Sequence, residues 1–175
     1  MTAGNARSQL GVSLLEVLIT LGLAAGVALV SLTTAIPWFD RERLRAAVHD
    51  VQSSLQLDRF EAIKRNRPCR VVVDVAAKAI EVWDGMGTTA TGDDVLLHKT
   101  GIPSTVGFAH PQGASPVTLD PLGAERYQAI FHGDGTVGSG DGEIVLHGGG
   151  RYQRLTLYVA GAVRLSTWNG SSWQL

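Results

Sequence analysis

The sequence has a single cysteine and lacks the short motifs that carry hydrolytic, metal or redox chemistry. Cys69 has no second cysteine with which to form an internal disulfide, and we expect a small buried side chain. There is no Gly-x-Ser-x-Gly, no His-Glu-x-x-His and no paired-cysteine motif. The histidines are scattered without metal-ligand spacing, at positions 49, 98, 110, 132 and 147. We therefore expect that the chain is not an enzyme and holds no metal or cofactor.

Charge is also scarce, and it is nearly balanced. The 175 residues contain 15 Lys or Arg and 16 Asp or Glu, which gives a net charge of −1. Together with the 45% content of hydrophobic residues, this balance excludes a disordered chain and a strongly basic nucleic-acid-binding chain. The length suits one anchor and one domain of ordinary size.

One long apolar run lies near the amino terminus. From Val12 to Ile36 there are 25 residues, and Glu16 is the only charged one. A helix of about 20 apolar residues crosses a bilayer core, so the run is long enough to span a membrane. A carboxylate costs about 2.5–3.5 kcal/mol at the centre of such a helix and less near its end. Glu16 is therefore expected to have a partner or a task.

A second helical pattern follows Pro37, which we expect to end or kink the first helix because proline lacks an amide donor. From about Asp40 to Asn66 the apolar residues have helical spacing, and Arg67-Pro68 is a stop signal. The predicted buried face consists of Leu44, Val48, Val51 and Leu55, widened by Ala47, Leu57, Phe60, Ala62 and Ile63. Eight basic and five acidic residues between positions 40 and 70 leave open a contact with anionic lipid or nucleic acid. The apolar face favours a helix packed on a sheet, with its charged side in solvent.

Beyond Pro68 the pattern changes to short strands separated by glycine-rich turns. The predicted strands are 69–75, 79–83, 95–99, 105–108, 117–119, 127–131, 143–147, 154–159 and 162–167, with loops at 84–94 and 132–142. A long helix followed by such strands indicates an α+β fold, in which the carboxyl-terminal half of the helix packs on an antiparallel sheet. Trp168 and Trp173 are expected to cover an edge or face of that sheet.

The second loop also raises the question of a calcium site. Asp134, Asp141 and Glu143 lie in a glycine-rich stretch, but they do not have the spacing of a calcium loop. Asp and Gly are typical of turns without any metal. We therefore predict no metal there, and we expect His132 to be a turn residue rather than a catalytic base.

The start of the apolar run carries a family resemblance. Gly11-Val-Ser-Leu-Leu-Glu16 followed by apolar sequence resembles the class III signal of type IV pilins and type II secretion pseudopilins. The resemblance implies that prepilin peptidase cuts between Gly11 and Val12 and methylates the new amino terminus. Glu16 of one subunit can then pair with the Val12 amine of a neighbour in a filament. The alternative is an uncleaved membrane anchor in which Glu16 reaches the lipid–water interface.

The same resemblance implies an organisation and a location. Residues 1–11 would be a leader, 12–36 a transmembrane and assembly helix, 37–67 an amphipathic helix, and 68–175 a β-rich periplasmic head. The chain would cross the bacterial inner membrane once, and it would later enter a filament. The basic residues beyond the membrane, Arg41, Arg43 and Arg45, argue for the opposite orientation. The implied partners are other pilins or pseudopilins, prepilin peptidase, the inner-membrane assembly platform and, before assembly, membrane lipid.

The head adds a narrower resemblance. Leu44-Arg-Ala-Ala47, Arg59-Phe-Glu-Ala-Ile-Lys-Arg65, Phe131-His-Gly-Asp-Gly-Thr136 and Gly161-Ala-Val-Arg164 resemble H-type pseudopilins and FimT-type minor pilins, which share a pilin-like fold. The first type implies a minor subunit at or near the tip of a type II secretion pseudopilus. The second implies a minor pilin of a type IV pilus, some of which help to take up DNA.

DNA contact in the FimT-type branch is attributed to a basic carboxyl-terminal strand, so the candidate contacts here are Arg151, Arg154 and Arg164. Ala162 stands where many members have arginine. Residues 71–175 contain six Lys or Arg against ten Asp or Glu, a balance that weakens phosphate binding. DNA binding is therefore disfavoured. We predict the minor pseudopilin, with the FimT-type minor pilin as the alternative, and the two machines share every sequence feature used here.

Overall fold

The structure is a computed structural model that describes residues 13–86 and 92–175, with the side chains of 30–37 excepted. The chain divides into two compact units, Met1–Pro37 and Trp38–Leu175. The predicted leader and Val12 lie outside the described residues. The described elements are helix α1 (Leu14–Arg65) and strands β1 (Cys69–Asp74), β2 (Ala79–Asp84), β3 (Val95–Gly101), β4 (Gly107–Phe108), β5 (Asp120–Gly123), β6 (Arg126–Phe131), β7 (Val137–Ser139), β8 (Gly142–Gly148), β9 (Arg151–Leu157), β10 (Val163–Trp168) and β11 (Trp173–Gln174).

The backbone of α1 forms one continuous helix from Leu14 to Arg65. Pro37 lies inside α1, so of the two predicted outcomes the helix does not end there. One proline removes a single backbone hydrogen bond, and the long helical sequences on both sides supply the others. Among the residues whose side chains are described, no helical segment is both long enough and apolar enough to cross a membrane.

The helix ends where the sequence predicts. Asn66 has a φ of 50°, the left-handed conformation of a helix terminus. The amide of Arg67 donates to the carbonyl of Ala62 at 3.2 Å, which satisfies one of the last free carbonyls of the helix. Arg65 and Arg67 then both bind the carboxylate of Asp84, which is almost fully buried in β2. Burial alone would raise the pKa of Asp84, but the hydrogen bonds and charges of these arginines hold it below its usual value.

The strands form two antiparallel sheets. Sheet A has the order β3-β2-β1-β6-β5, with β7 also paired to β6, and sheet B has the order β11-β10-β9-β8-β4. The predicted α+β class, a long amino-terminal helix with an antiparallel β head, is confirmed, and the strands divide between two sheets rather than one. Trp173 lies on the edge strand β11, in ring contact with Trp168 at 5.3 Å.

Some strand predictions fail at glycine- and proline-rich stretches. The predicted strand 117–119 reduces to a single bridge from Val117 to Ile144, and the sheet residues begin at Asp120. The predicted loop 132–142 contains β7. Both errors have one cause: edge strands tolerate Pro and Gly, because half of their backbone groups need no partner.

The core lies between α1 and the two sheets. Leu44, Val48, Val51 and Leu55 are at most 2% exposed, as predicted. They pack with core-facing strand residues that include Val71, Val73, Val82, Phe131, Ile144, Leu146 and Leu155. Phe60 and Ile63 do not belong to this face, since they are 59% and 47% exposed. With 3.6 residues per turn, Phe60 lies about 140° around the helix from Leu55, so the prediction that it widens the face is wrong.

Asp58 is an acidic residue on the buried side of α1. It is fully buried, and neither carboxylate oxygen has a hydrogen-bond partner among the described residues. Burial raises the pKa of Asp58 well above its usual value, and the charge of Arg70 offsets only part of the effect.

Cys69 is a buried free thiol, as predicted, and burial together with the nearby carboxylates raises its pKa to about 12. The thiol is therefore not a reactive group.

Two glycine turns meet α1 at Arg59, where Nη1 donates to the carbonyl of Gly161 at 3.2 Å. Gly161 and Gly135 have φ values of 74° and 80°, which only glycine adopts readily. A Cβ on Gly161 would collide with the carbonyl oxygen of Gly135 and lie 3.0 Å from Nε of Arg59. The amide of Val137 in β7 donates to the carbonyl of Val159 at 2.8 Å, which links sheet A to the turn after β9 in sheet B. We call Arg59, Gly135 and Gly161 the glycine junction.

The buried carboxyl of Asp58 predicts a pH effect that Asp58→Asn removes. The folded protein keeps the Asp58 proton at pH values where the unfolded chain, with a pKa of about 4, has lost it. The free energy of unfolding of the wild type should therefore fall relative to the variant as the pH rises, by up to about 1.4 kcal/mol per pH unit between the two pKa values. Denaturant unfolding of both proteins at pH 4.5 and 7.5 measures this difference. Parallel pH profiles would contradict the raised pKa.

The glycine junction predicts that Gly161→Ala destabilises the head. A residue with a Cβ in the left-handed conformation costs about 1–2 kcal/mol, and the collision with Gly135 adds to this. We expect the Tm to fall by about 5–10 °C in a thermal scan. Gly101→Ala is the matched control, because nothing lies within 4 Å of a Cβ at Gly101. Equal Tm values for the two variants would show that the junction does not constrain the fold.

Candidate functional site

Glu16 lies in the first turn of α1, on an otherwise mostly apolar helix surface. A carboxylate is favourable there, because the helix dipole is positive at its amino terminus. The large apolar side chains of this segment are all exposed, from 44% for Val17 to 78% for Leu14. A helix that is apolar all round is normally covered by protein or by lipid. In the single chain this surface therefore lacks its natural environment.

Both predicted processing residues, Gly11 and Val12, lie outside the described residues. The cleavage point and the pairing of Glu16 with an amine at Val12 stay predictions. Glu16 itself is exposed, which leaves its carboxylate accessible to a neighbouring chain.

The three candidate DNA contacts do not form one cluster. Arg154 and Arg164 lie on the same face of sheet B, since Arg164 is paired with Thr156, two residues after Arg154. Arg151, three residues before Arg154, points to the opposite face. The guanidinium of Arg154 is also engaged: it lies 2.9 Å from the carboxylate of Glu143. Only Arg151 and Arg164 are well exposed.

Aromatic side chains accompany Arg154 on this face of sheet B. The guanidinium carbon of Arg154 lies 4.5 Å from the ring centre of Trp173, a cation–π contact. His147 and Tyr152 pair across β8 and β9 with ring centres 4.5 Å apart. The sheet face is therefore covered by rings and by a neutralised arginine, and it does not present a row of free positive charges.

The acidic residues of the second loop have separate structural roles. Asp134 Oδ1 accepts hydrogen bonds from the amide and hydroxyl of Thr136, at 2.9 and 2.6 Å, which closes a turn. These bonds lower the pKa of Asp134. Glu143 is bound to Arg154 instead. Within residues 13–86 and 92–175, no group of three or more His, Cys, Asp or Glu could hold a metal ion.

Sequence reasoning missed a second group of polar residues, on the face of sheet A that points away from α1. Arg70 in β1 is only 3% exposed, and its Nη1 lies 3.0 Å from Asp94. Arginine is rarely buried without a partner, so an arginine inside the apolar strand Cys69–Asp74 was a signal of a buried ion pair. Its partner could not be read from the sequence, because Asp94 lies in a stretch that reads only as a loop.

Comparison with known proteins places these features in a family. The family model of type II transport protein GspH matches residues 47–162, about two thirds of the chain. The fold is similar to that of the type IV minor pilin FimU of Pseudomonas aeruginosa, with 17% identity, 76% of this chain and 93% of that chain covered, and a TM-score of 0.49. It is also similar to the minor pseudopilin EpsH of the type 2 secretion system of Vibrio cholerae, with 18% identity, 70% and 95% covered, and a TM-score of 0.49.

A search of curated protein sequences found no match. The family match includes about the last third of α1, both glycine turns and strands β1 to β9, and it leaves residues 1–46 and 163–175 outside. On this match, the chain belongs to the family of type II transport protein GspH.

Proposed function

We propose that the chain is a minor pseudopilin, a structural subunit at or near the tip of a type II secretion pseudopilus. The observation that carries the proposal is the exposed apolar surface of α1 from Leu14 to Leu29, on a chain whose head belongs to the GspH family. Such a surface needs lipid before assembly and neighbouring helices after it. A filament of packed helices supplies that second environment.

In this proposal Glu16 sets the register of the subunit in the filament. Prepilin peptidase removes residues 1–11, and the new amine at Val12 is cationic at neutral pH. The exposed carboxylate of Glu16 then pairs with the amine of an adjacent subunit, and each charge neutralises the other among apolar side chains. A subunit displaced along its neighbours would leave both charges unpaired, which is unfavourable in such surroundings.

The proposal also includes a cellular location for the chain. The apolar run from Val12 to Ile36 anchors the chain in the inner membrane, with the head in the periplasm, until the assembly platform moves it into the filament. The described core residues of the head lie between Leu44 and Leu157, with Val163 packed against them.

The alternative is a FimT-type minor pilin that contacts DNA. The observation in its favour is that Arg164 is exposed on the same face as Arg154 and its aromatic neighbours, which could stack on bases. Against it, Glu143 neutralises Arg154, and the head has more acidic than basic residues. We therefore rank it second.

Glu16→Ala tests the assembly role. We expect the variant to reach the membrane but to enter filaments at least tenfold less than the wild type, because the amine of a neighbour would be left unpaired. The cost of leaving one buried charge without its partner is about 3–5 kcal/mol. The measurement is the amount of subunit in sheared filaments, divided by the amount in the membrane fraction.

Glu42→Ala is the matched control for that variant, since Glu42 is an exposed carboxylate of the same helix with only a 3.5 Å contact to Arg45. It should enter filaments like the wild type, and both variants should keep the Tm of the head. Normal incorporation of Glu16→Ala would refute the assembly role.

Processing is tested by the intact mass of the amino-terminal peptide, from cells with and without prepilin peptidase. We expect a chain that begins at N-methylated Val12 only when the peptidase is present. A chain that keeps Met1 in both strains, or is cut near Ala35 like an ordinary secreted protein, would remove the filament proposal.

A further inference from the structure

One turn of sheet B packs directly on the first residues of the helix within the head. The turn Gly149-Gly150 joins β8 to β9, and Arg151 is the first residue after it. A Cβ built on Gly149 would lie 3.1 Å from Cβ of Asp40 and 3.2 Å from the amide nitrogen of Arg41. The compact unit that forms the head begins at Trp38. This turn therefore lies at the end of the head where α1 enters it.

A cavity of about 650 Å³ lies beside this turn, where two strands of sheet B separate. The ladder between β9 and β10 stops at the pair of Gln153 and Thr167. Trp168, the next residue of β10, is paired with Trp173 of β11 instead. The start of β9 and the end of β10 thus have an open space between them. We call it the hairpin cavity, and the residues that line it include Arg151, Tyr152, Thr167, Trp168, Asn169 and Gln174.

Arg151 is the one charged side chain among the described residues that line the hairpin cavity. It is well exposed, and it makes no ion pair with any residue in the described ranges. Arg154 of the same strand differs, because Glu143 neutralises it at 2.9 Å. Arg41, beside the turn, is exposed and also lacks an ion pair with the described residues. This end of the head therefore carries two accessible positive charges that its own carboxylates do not neutralise.

The rest of the cavity wall is polar but neutral. Tyr152 and Thr167 carry hydroxyls, and Gln174 carries an amide. Oδ1 of Asn169 accepts two amide hydrogen bonds within its own turn, at 2.9 and 2.8 Å, which leaves its NH₂ group to donate. No Asp or Glu of the described chain lines the cavity, so a cationic group would find no carboxylate there. The wall suits an anion that also carries hydroxyls.

Two exposed rings on α1 indicate what lies next to this end of the head. Trp38 and Phe39 are 58% and 53% exposed, and their ring centres are 5.2 Å apart. They follow the apolar run that ends at Ile36, and aromatic rings at such a place are typical of a membrane–water interface. Four residues separate Ile36 from Asp40, and they span at most about 14 Å in any conformation. If the run is a membrane anchor, the turn and the hairpin cavity must therefore lie close to the lipid headgroups.

We propose that the hairpin cavity binds the headgroup of an anionic phospholipid of the phosphatidylglycerol type. The guanidinium of Arg151 donates to the phosphate, and the glycerol hydroxyls bond to the neutral polar groups of the wall. Arg41 adds to the attraction for the anionic surface. The inference rests on the membrane anchor of the proposed function and adds a ligand to the head. The bound lipid holds the head at the bilayer until the subunit enters the filament.

Two other ligands share part of this chemistry. A neutral saccharide can stack on Trp168 and bond to the same hydroxyls and amides, but its binding does not need the charge of Arg151. DNA needs positive charge along its length, and the cavity offers a single arginine. The dependence of binding on Arg151 and on the kind of anion therefore separates the three ligands.

The experiment titrates the ¹⁵N-labelled full chain, in micelles of a polyoxyethylene detergent, with dihexanoyl-phosphatidylglycerol. The chain has four tryptophans, and the indole N–H signal that is lost in Trp168→Phe belongs to Trp168. We expect a saturable shift of this signal, with that of Trp83 in sheet A unmoved. Dihexanoyl-phosphatidylcholine has the same acyl chains and no net charge, so it should bind at least tenfold more weakly.

Arg151→Gln tests the contact with the phosphate. Removal of one arginine from an anionic lipid surface should weaken binding of phosphatidylglycerol about fivefold or more. Arg164→Gln is the matched control, since Arg164 is exposed and is paired with Thr156, five residues or about 17 Å along β9 from Arg151. It makes the same change of charge and should bind like the wild type. An unchanged Trp83 signal verifies that each variant is folded.

Three results would overturn the proposal. They are no saturable shift of Trp168 with phosphatidylglycerol, equal weakening by Arg151→Gln and Arg164→Gln, or binding of inorganic phosphate, maltose or a short DNA duplex at least as tight as that of the lipid. If Arg151→Gln does not fold, nuclear Overhauser contacts from the headgroup glycerol protons to the ring of Trp168 decide, and their absence counts against the lipid. Failure of the proposed anchor is a separate result, because the wild type would then be missing from the membrane fraction of cells, whatever the titration shows.

Discussion

The glycine junction is the constraint on which the rest of the head depends. At Arg59 the helix meets the turn before β7 and the turn after β9, so a single place joins α1 to both sheets. The two turns approach so closely that Gly135 and Gly161 leave no room for a side chain between them. Each sheet could bury its own apolar side chains at many angles to the helix. The junction, together with the bond from Val137 to Val159, restricts these angles.

A second constraint acts at the carboxyl-terminal end of α1. Asp84 is held by two arginines, one from the last turn of α1 and one from the segment that follows it. The carboxylate therefore fixes where β2 lies relative to the helix terminus, and its neutralisation makes its burial tolerable. Asp58 represents the opposite case, a carboxyl that has no hydrogen-bond partner among the described residues and whose pKa is raised by burial. Two acids of one core thus respond to pH in opposite directions.

Most of the helix and of the central strands could be predicted from the sequence, because their patterns are local. The spacing of Leu44, Val48, Val51 and Leu55 determines the buried face, and the stop at Arg67-Pro68 is a backbone property. The division of strands into two sheets was not predictable, since pairing partners are far apart in sequence. The exposed positions of Phe60 and Ile63 show the limit of a pattern that counts apolar residues without measuring their angle around the helix.

The candidate sites also differ in whether they could be predicted from the sequence. Glu16 was identifiable because a lone charge in an apolar run is visible in one dimension. The contacts that engage Arg154 were not identifiable from the sequence, because its partners Glu143 and Trp173 come from other strands. The clearest example is the cavity of sheet A that is lined by Arg70, Trp83, Asp94, Leu122 and Arg126. It is assembled from four strands and one loop, and only Arg70 gives any sign of it in the sequence. Sites built by tertiary pairing leave little trace in local patterns.

The edge of sheet A beyond β6 is made of two separate pieces. Strand β5 pairs with the first half of β6 and β7 with its end, and the pairing of β5 is interrupted between Pro121 and Gly123. A four-residue edge strand with such an irregularity has few hydrogen bonds to lose, so it opens at a lower free energy than the central strands. Strand β5 carries Leu122, which lines a cavity of about 320 Å³ on sheet A together with Arg70 and Trp83. The side chain of Leu122 therefore lies on the less firmly held part of this edge, while β7 is bonded to the turn after β9.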